Sequence, residues 1–187
     1  MGSFSKPKRW VIGQVGTKGY QILYADKQRT SEEMGPKADH LEEWRRGILP
    51  NLHLVFKKFD GYARYPLGEN EYAGTIPDKP ETVEELLWEN DLRRNPLSAL
   101  KTDPFGNTEV GSWMYRDQPT AERQVHVMLF EGEGDGQTTD LYAHEECSAG
   151  HPDPEIAVKH YNAVDYNPEQ GCTWVQSNLP VENRRSF

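Results

Sequence analysis

The residues of this chain best suited to chemistry are histidines with carboxylates close by in sequence: His126, Asp140, His144, His151, Asp153 and His160. Imidazole nitrogens and carboxylate oxygens are ligands for zinc and related ions, and such a site needs three or four of them. Two β-compatible runs, Gln124 to Phe130 and Thr138 to Ala143, flank a turn carrying Gly132, Gly134 and Gly136. A hairpin centred on Asp135 sets His126 opposite His144 on one face, with Asp140 projecting from the same face. A slip of one residue would separate the pair. The candidate metal ligands are therefore His126, His144 and His160. Asp140 and His151 are the other choices for a third ligand, and Glu145 is the candidate base for a metal-bound water. Histidines scattered through a β-rich chain are more often structural, hydrogen-bonded to backbone or tyrosine and buried under aromatic rings, and there is no HExxH motif.

Other patterns are weaker. Glu131-Gly-Glu133-Gly-Asp135-Gly136 resembles the opening of a calcium loop, but Tyr142 stands where the closing glutamate belongs, and a charged hairpin tip is much the better account of the run. Cys147 has His144 and His151 near it in sequence, yet no flanking signature marks it as a nucleophile. Gly13, Gly16 and Gly19 are spaced GxxGxxG, not GxGxxG, and no helix pattern follows directly, so they read as a turn. No GxSxG, P-loop or paired CxxC pattern is present.

The chain has 187 residues, enough for one domain with a substantial core, and a single domain over 1–187 with flexible ends near 1–8 and 181–187 is expected. A mean hydropathy of -0.85 implies a polar, loop-rich exterior, while five Trp and nine Tyr supply large apolar surfaces. The formal net charge is -9, with a positive balance over residues 1–60 and a strongly negative one beyond. That acidity argues against a partner bound through phosphates. No run approaches the roughly 18 apolar residues of a membrane span. No apolar leader is evident, so a cytoplasmic location with Cys147 and Cys172 reduced is expected.

The elements that must position the histidines follow from periodicity. In Val125, Val127 and Leu129 against His126, Met128 and Phe130, both faces are largely apolar, which marks a central strand covered on both sides. Trp10–Val15 and Tyr20–Ala25 read as a further hairpin, Ser31–Arg46 as a helix and Leu52–Phe59 as a strand. Residues 61–79 read as a long loop. Pro80–Arg94 has the apolar stripe and charge polarity of a helix. Leu97–Thr102 and Thr108–Arg116 read as a strand pair leading into the central hairpin, making a four-stranded meander. Ile156–Tyr166 reads as a fifth strand with helix as the alternative. Asn167-Pro168 begins a helix that ends before Pro180.

The pattern as a whole implies an α+β fold: a mostly antiparallel β-sheet of hairpins and a meander, about six to eight strands, with two or three packed helices. Composition does not separate a binding protein from a small enzyme; the leading expectation is a non-enzymatic protein-interaction or regulatory protein whose partner is another protein, with no nucleic acid and no membrane involved. The alternatives are a metal-dependent, hydrolase-like enzyme using the His126 and His144 face, or a small-ligand binder with an aromatic pocket. No cofactor is called for other than a divalent metal at the histidines.

Overall fold

A computed structural model describes residues 46–47, 66–96, 98–134, 136–161 and 164–185. The expected elements at 10–15, 20–25 and 52–59, and all of 31–46 except Arg46, lie outside the described residues. Within them the chain is an α+β fold. A 3-10 turn at Glu69–Glu71 leads into β1 (Tyr72–Ile76), followed by α1 (Pro80–Glu89), β2 (Arg93–Arg94), β3 (Gly111–Tyr115), β4 (Arg123–Glu131), β5 (Thr139–Cys147), α2 (Pro154–Tyr161) and α3 (Pro168–Asn178). The five strands form one antiparallel sheet in the order β1-β5-β4-β3-β2, so β2 to β5 are a meander and β1 closes the far side.

The central hairpin has the expected register. Arg123 pairs with Cys147, His126 with His144 and Glu131 with Thr139. Gly134 and Gly136 take the positive φ angles the reversal needs. Both faces of β4 are covered. Val125, Val127 and Leu129 join Trp113, Leu141 and Ala143 in a core roofed by Val83 and Leu87 of α1 and Val175 of α3. On the opposite face Met128 and Phe130 pack with Tyr142 and Leu67. The same alternation that buries these apolar side chains directs Gln124, His126, His144 and Glu146 to the second face, so the polar cluster is a continuation of that layer.

Several elements differ from the sequence expectation, each for a local reason. The helix expected over 80–94 stops at Glu89. Asp91 adopts φ 62, the Leu92 N–H bonds to the Leu87 carbonyl and the Asp91 N–H to the Trp88 carbonyl, a Schellman arrangement sealed by two fully buried leucines. Arg93–Arg94 then pairs with β3. The part of the expected loop at 66–79 contains β1, which was obscured by Gly74. That residue has φ 142 and sits at a bulge, and a Cβ there would lie 2.7 Å from Val181 Cβ. The space admits the C-terminal segment, whose Glu182 exchanges two backbone bonds with Thr75. Among residues 98–102 the expected strand reduces to isolated bridges from Thr102, because Asp103 takes over the turn by accepting the Phe105 and Asn107 N–H groups. Residues 154–161 are helical, not a strand. Asp153 accepts from the N–H of Glu155 and Pro154 fills the first position, a start signal stronger than the β-branched content that follows. The expected six to eight strands are thus five among the described residues. No described helix is long and apolar enough to cross a membrane.

Candidate metal centre

His126 and His144 come together because β4 and β5 place them opposite each other on the covered face. Nδ1 of His126 lies 3.2 Å from Nε2 of His144, with the rings at 86°. Glu146, two residues along β5 on the same face, brings one carboxylate oxygen to each ring: Oε1 is 3.5 Å from His126 Nδ1 and Oε2 is 3.5 Å from His144 Nε2. His126 and His144 are 2% and 1% exposed and Glu146 is 9% exposed. Among the described residues these three offer one donor atom each, all within 4.8 Å of one another.

The outer nitrogens of the two rings are also held. His126 Nε2 lies 2.7 Å from Ser112 Oγ and 3.4 Å from Ser98 Oγ. His144 Nδ1 lies 3.1 Å from Glu71 Oε1 and 2.8 Å from the Tyr166 hydroxyl, which donates to the same carboxylate. Glu71 accepts from the His144 Nδ1–H, while the Ser112 and Ser98 hydroxyls can donate to or accept from His126 Nε2, so either tautomer of His126 satisfies its outer contacts. His126 Nδ1 and His144 Nε2 face each other beside the Glu146 carboxylate. An outer carboxylate or hydroxyl that accepts from a histidine and presents its other nitrogen is the arrangement found behind metal ligands.

Glu146 is held symmetrically. Gln124 Nε2 donates to Oε1 at 2.8 Å, and His160 Nδ1 lies 3.1 Å from Oε2 and 3.0 Å from the Cys147 carbonyl. The electrostatics favour positive charge between the two carboxylates. Burial alone would lower the His144 pKa, but the hydrogen bonds and charges of Glu146 and Glu71 outweigh it and hold the value above the ordinary one. Burial alone would raise Glu146, yet the charge of His160 and the contact with His144 bring it well below the usual carboxylate range. Glu71 is likewise lowered against its burial, by His144 and the Gly68 N–H.

The other candidates fall elsewhere. His160, offered by the sequence as a ligand, meets the Glu146 carboxylate at 3.1 Å. Asp140 shares the face but lies four residues away along β5, roughly 13 Å, bonded to Thr75 and paired with Arg185. His151 accepts the Asp153 N–H in the turn before α2. Glu145, the expected base, points to the opposite face and pairs with Arg123 at 2.7 Å; that assignment is corrected, since the carboxylate beside the histidines is Glu146. Cys147 and Cys172 are free and buried, and burial pushes both thiols up, Cys172 to about 11, which removes the thiolate a nucleophile needs. Glu131 ends β4, and the Gly132 N–H that follows bonds to the Thr138 carbonyl at the hairpin end.

Glu146 and Glu71 are the residues the sequence reading missed. Glu146 was recoverable from the i, i+2 spacing with His144. Glu71 was not, being 73 residues from its partner and inside a stretch without visible periodicity. Comparison with protein-family models, with curated proteins and with solved structures returned no match for this chain.

Proposed function

We propose that this is a metal-binding protein whose His126, His144 and Glu146 hold one divalent first-row transition-metal ion. The observation carrying the reading is the convergence of two imidazole nitrogens 3.2 Å apart with a carboxylate 3.5 Å from each, all buried. For an ion about 2.1 Å from both nitrogens, their separation corresponds to an N–metal–N angle of roughly 100°. The second support is the layer behind the ligands: Ser112 on His126, and Glu71 with Tyr166 on His144. The third is the sign of the local field, in which two buried carboxylates favour a cation at the rings.

Two histidines and a carboxylate leave coordination positions for water or substrate, and an ion so held lowers the pKa of bound water and polarises a carbonyl or phosphoryl oxygen. The activity this supports is hydrolase-like. The non-enzymatic reading has its own support, since His144 is buried and bonded to Tyr166, whose ring lies 4.2 Å from it between centroids; the metal reading adds to this the carboxylate beside both imidazoles. A proton shared between the rings answers the same electrostatic demand, and experiment separates the two. Melting the protein with increasing zinc, cobalt or manganese should raise Tm, by linkage worth about 2.7 kcal/mol at a hundredfold excess over Kd. His126→Ala, checked for folding by circular dichroism, should abolish the shift. A Tm indifferent to all three ions would exclude the reading. Metal-stimulated turnover of p-nitrophenyl esters and phosphates tests the hydrolase-like activity.

A further inference from the structure

The position of Glu146 bears on which ion the centre takes. Its two oxygens are engaged alike: Oε1 faces His126 Nδ1 and Oε2 faces His144 Nε2, each at 3.5 Å. Each oxygen also meets one nitrogen from outside, Gln124 Nε2 on Oε1 at 2.8 Å and His160 Nδ1 on Oε2 at 3.1 Å. Gln124 projects from β4 and His160 from α2, so the carboxylate is gripped from two separate elements. A carboxylate that binds through one oxygen is normally turned so that this oxygen points at the ion and the other takes the outside hydrogen bonds. Here neither oxygen is favoured: each is 3.5 Å from one imidazole nitrogen and each takes one outside contact.

Building on the metal reading above, we propose that Glu146 chelates the ion through both oxygens. Four protein donor atoms then surround it, two nitrogens and two oxygens, with one or two positions left for water or an oxygen ligand. The ion is one that accepts five or six donors, in the class of ferrous, manganous or cobaltous ions, in preference to four-coordinate zinc. Gln124 and His160 set this preference as positioning residues, by holding one carboxylate oxygen each.

Cobalt(II) added to the purified full chain tests this. A five- or six-coordinate ion gives weak visible bands, as expected here, whereas intense bands mark a four-coordinate ion and would overturn the chelation while leaving the metal reading in place. Absence of cobalt binding in equilibrium dialysis would overturn both. Weak bands also arise when waters complete a six-coordinate shell around a single carboxylate oxygen, so the cobalt-bound crystal structure is the second measurement. Both Glu146 oxygens should ligate the ion, and one in with one out contradicts the proposal. In the His160→Ala variant the grip on Oε2 is lost. The preference for manganese over zinc in competition dialysis should then fall at least severalfold, and an unchanged ratio would remove His160 from the role.

Discussion

Gly171 of α3 lies directly against the backbone of His144, so closely that a Cβ at this position would collide with the His144 N, Cα and C atoms. The helix therefore touches the strand at the residue that carries the imidazole. The Asn167 side chain caps this helix by accepting the Gln170 N–H, while the Asn167 backbone exchanges two hydrogen bonds with Glu145. Helix, cap and strand form one support for His144, and Tyr166, immediately before the cap, covers its ring at 4.2 Å between centroids.

Gly171→Ala forces α3 or β5 to move, because the obstructing atoms are main chain. Overpacking of this kind costs about 1–3 kcal/mol. Urea unfolding should show the midpoint falling accordingly, and metal affinity should fall with it. A variant as stable as the parent would show that the contact is not as close as described.

Glu71 accepts from His144 Nδ1 and fixes which nitrogen faces Glu146. Loss of such an outer partner lowers metal affinity about 10–100-fold. Glu71→Ala should show this drop in competition with a chromophoric chelator, and Glu71→Gln, which keeps an acceptor oxygen, should retain more of the affinity. Equal affinity in Glu71→Ala and the parent would mean His144 is oriented by other groups.

Cys172 predicts a pH dependence of stability. Burial pushes its thiol up to about 11, and the negative charge of Glu71 acts in the same direction. An unfolded thiol titrates near about 8.5. Between these values the unfolded chain releases the proton and the folded chain keeps it, so stability falls as pH rises through this window. Denaturation midpoints at pH 7.5 and 10 should diverge more in the parent than in Cys172→Ala. Parallel losses in the two proteins would rule out the thiol as a contributor.

How much of this was readable from residues alone depends on the distance over which each signal acts. The β4–β5 register was readable because alternation and a glycine-rich turn act over twenty-five residues, and these alone set His126 against His144. The Asn167-Pro168 helix start was equally local. β1 was hidden by Gly74, whose role becomes visible only once Val181 is seen to fill the space beside it. At 154–161 the alternative reading, helix, is the one found, and the Asp153-Pro154 start is the local signal for it. Glu71 joins the site through strand pairing between β1 and β5, a long-range relationship that no local pattern encodes.

Elemental analysis of the purified protein after incubation with a divalent metal and exhaustive dialysis addresses the central claim most directly. One ion per chain is expected for the parent, and much less than one for the His126→Ala and His144→Ala variants that remain folded by circular dichroism. A parent that retains substantially less than one ion after supplementation, or variants that retain as much as the parent, would contradict a metal centre at His126, His144 and Glu146.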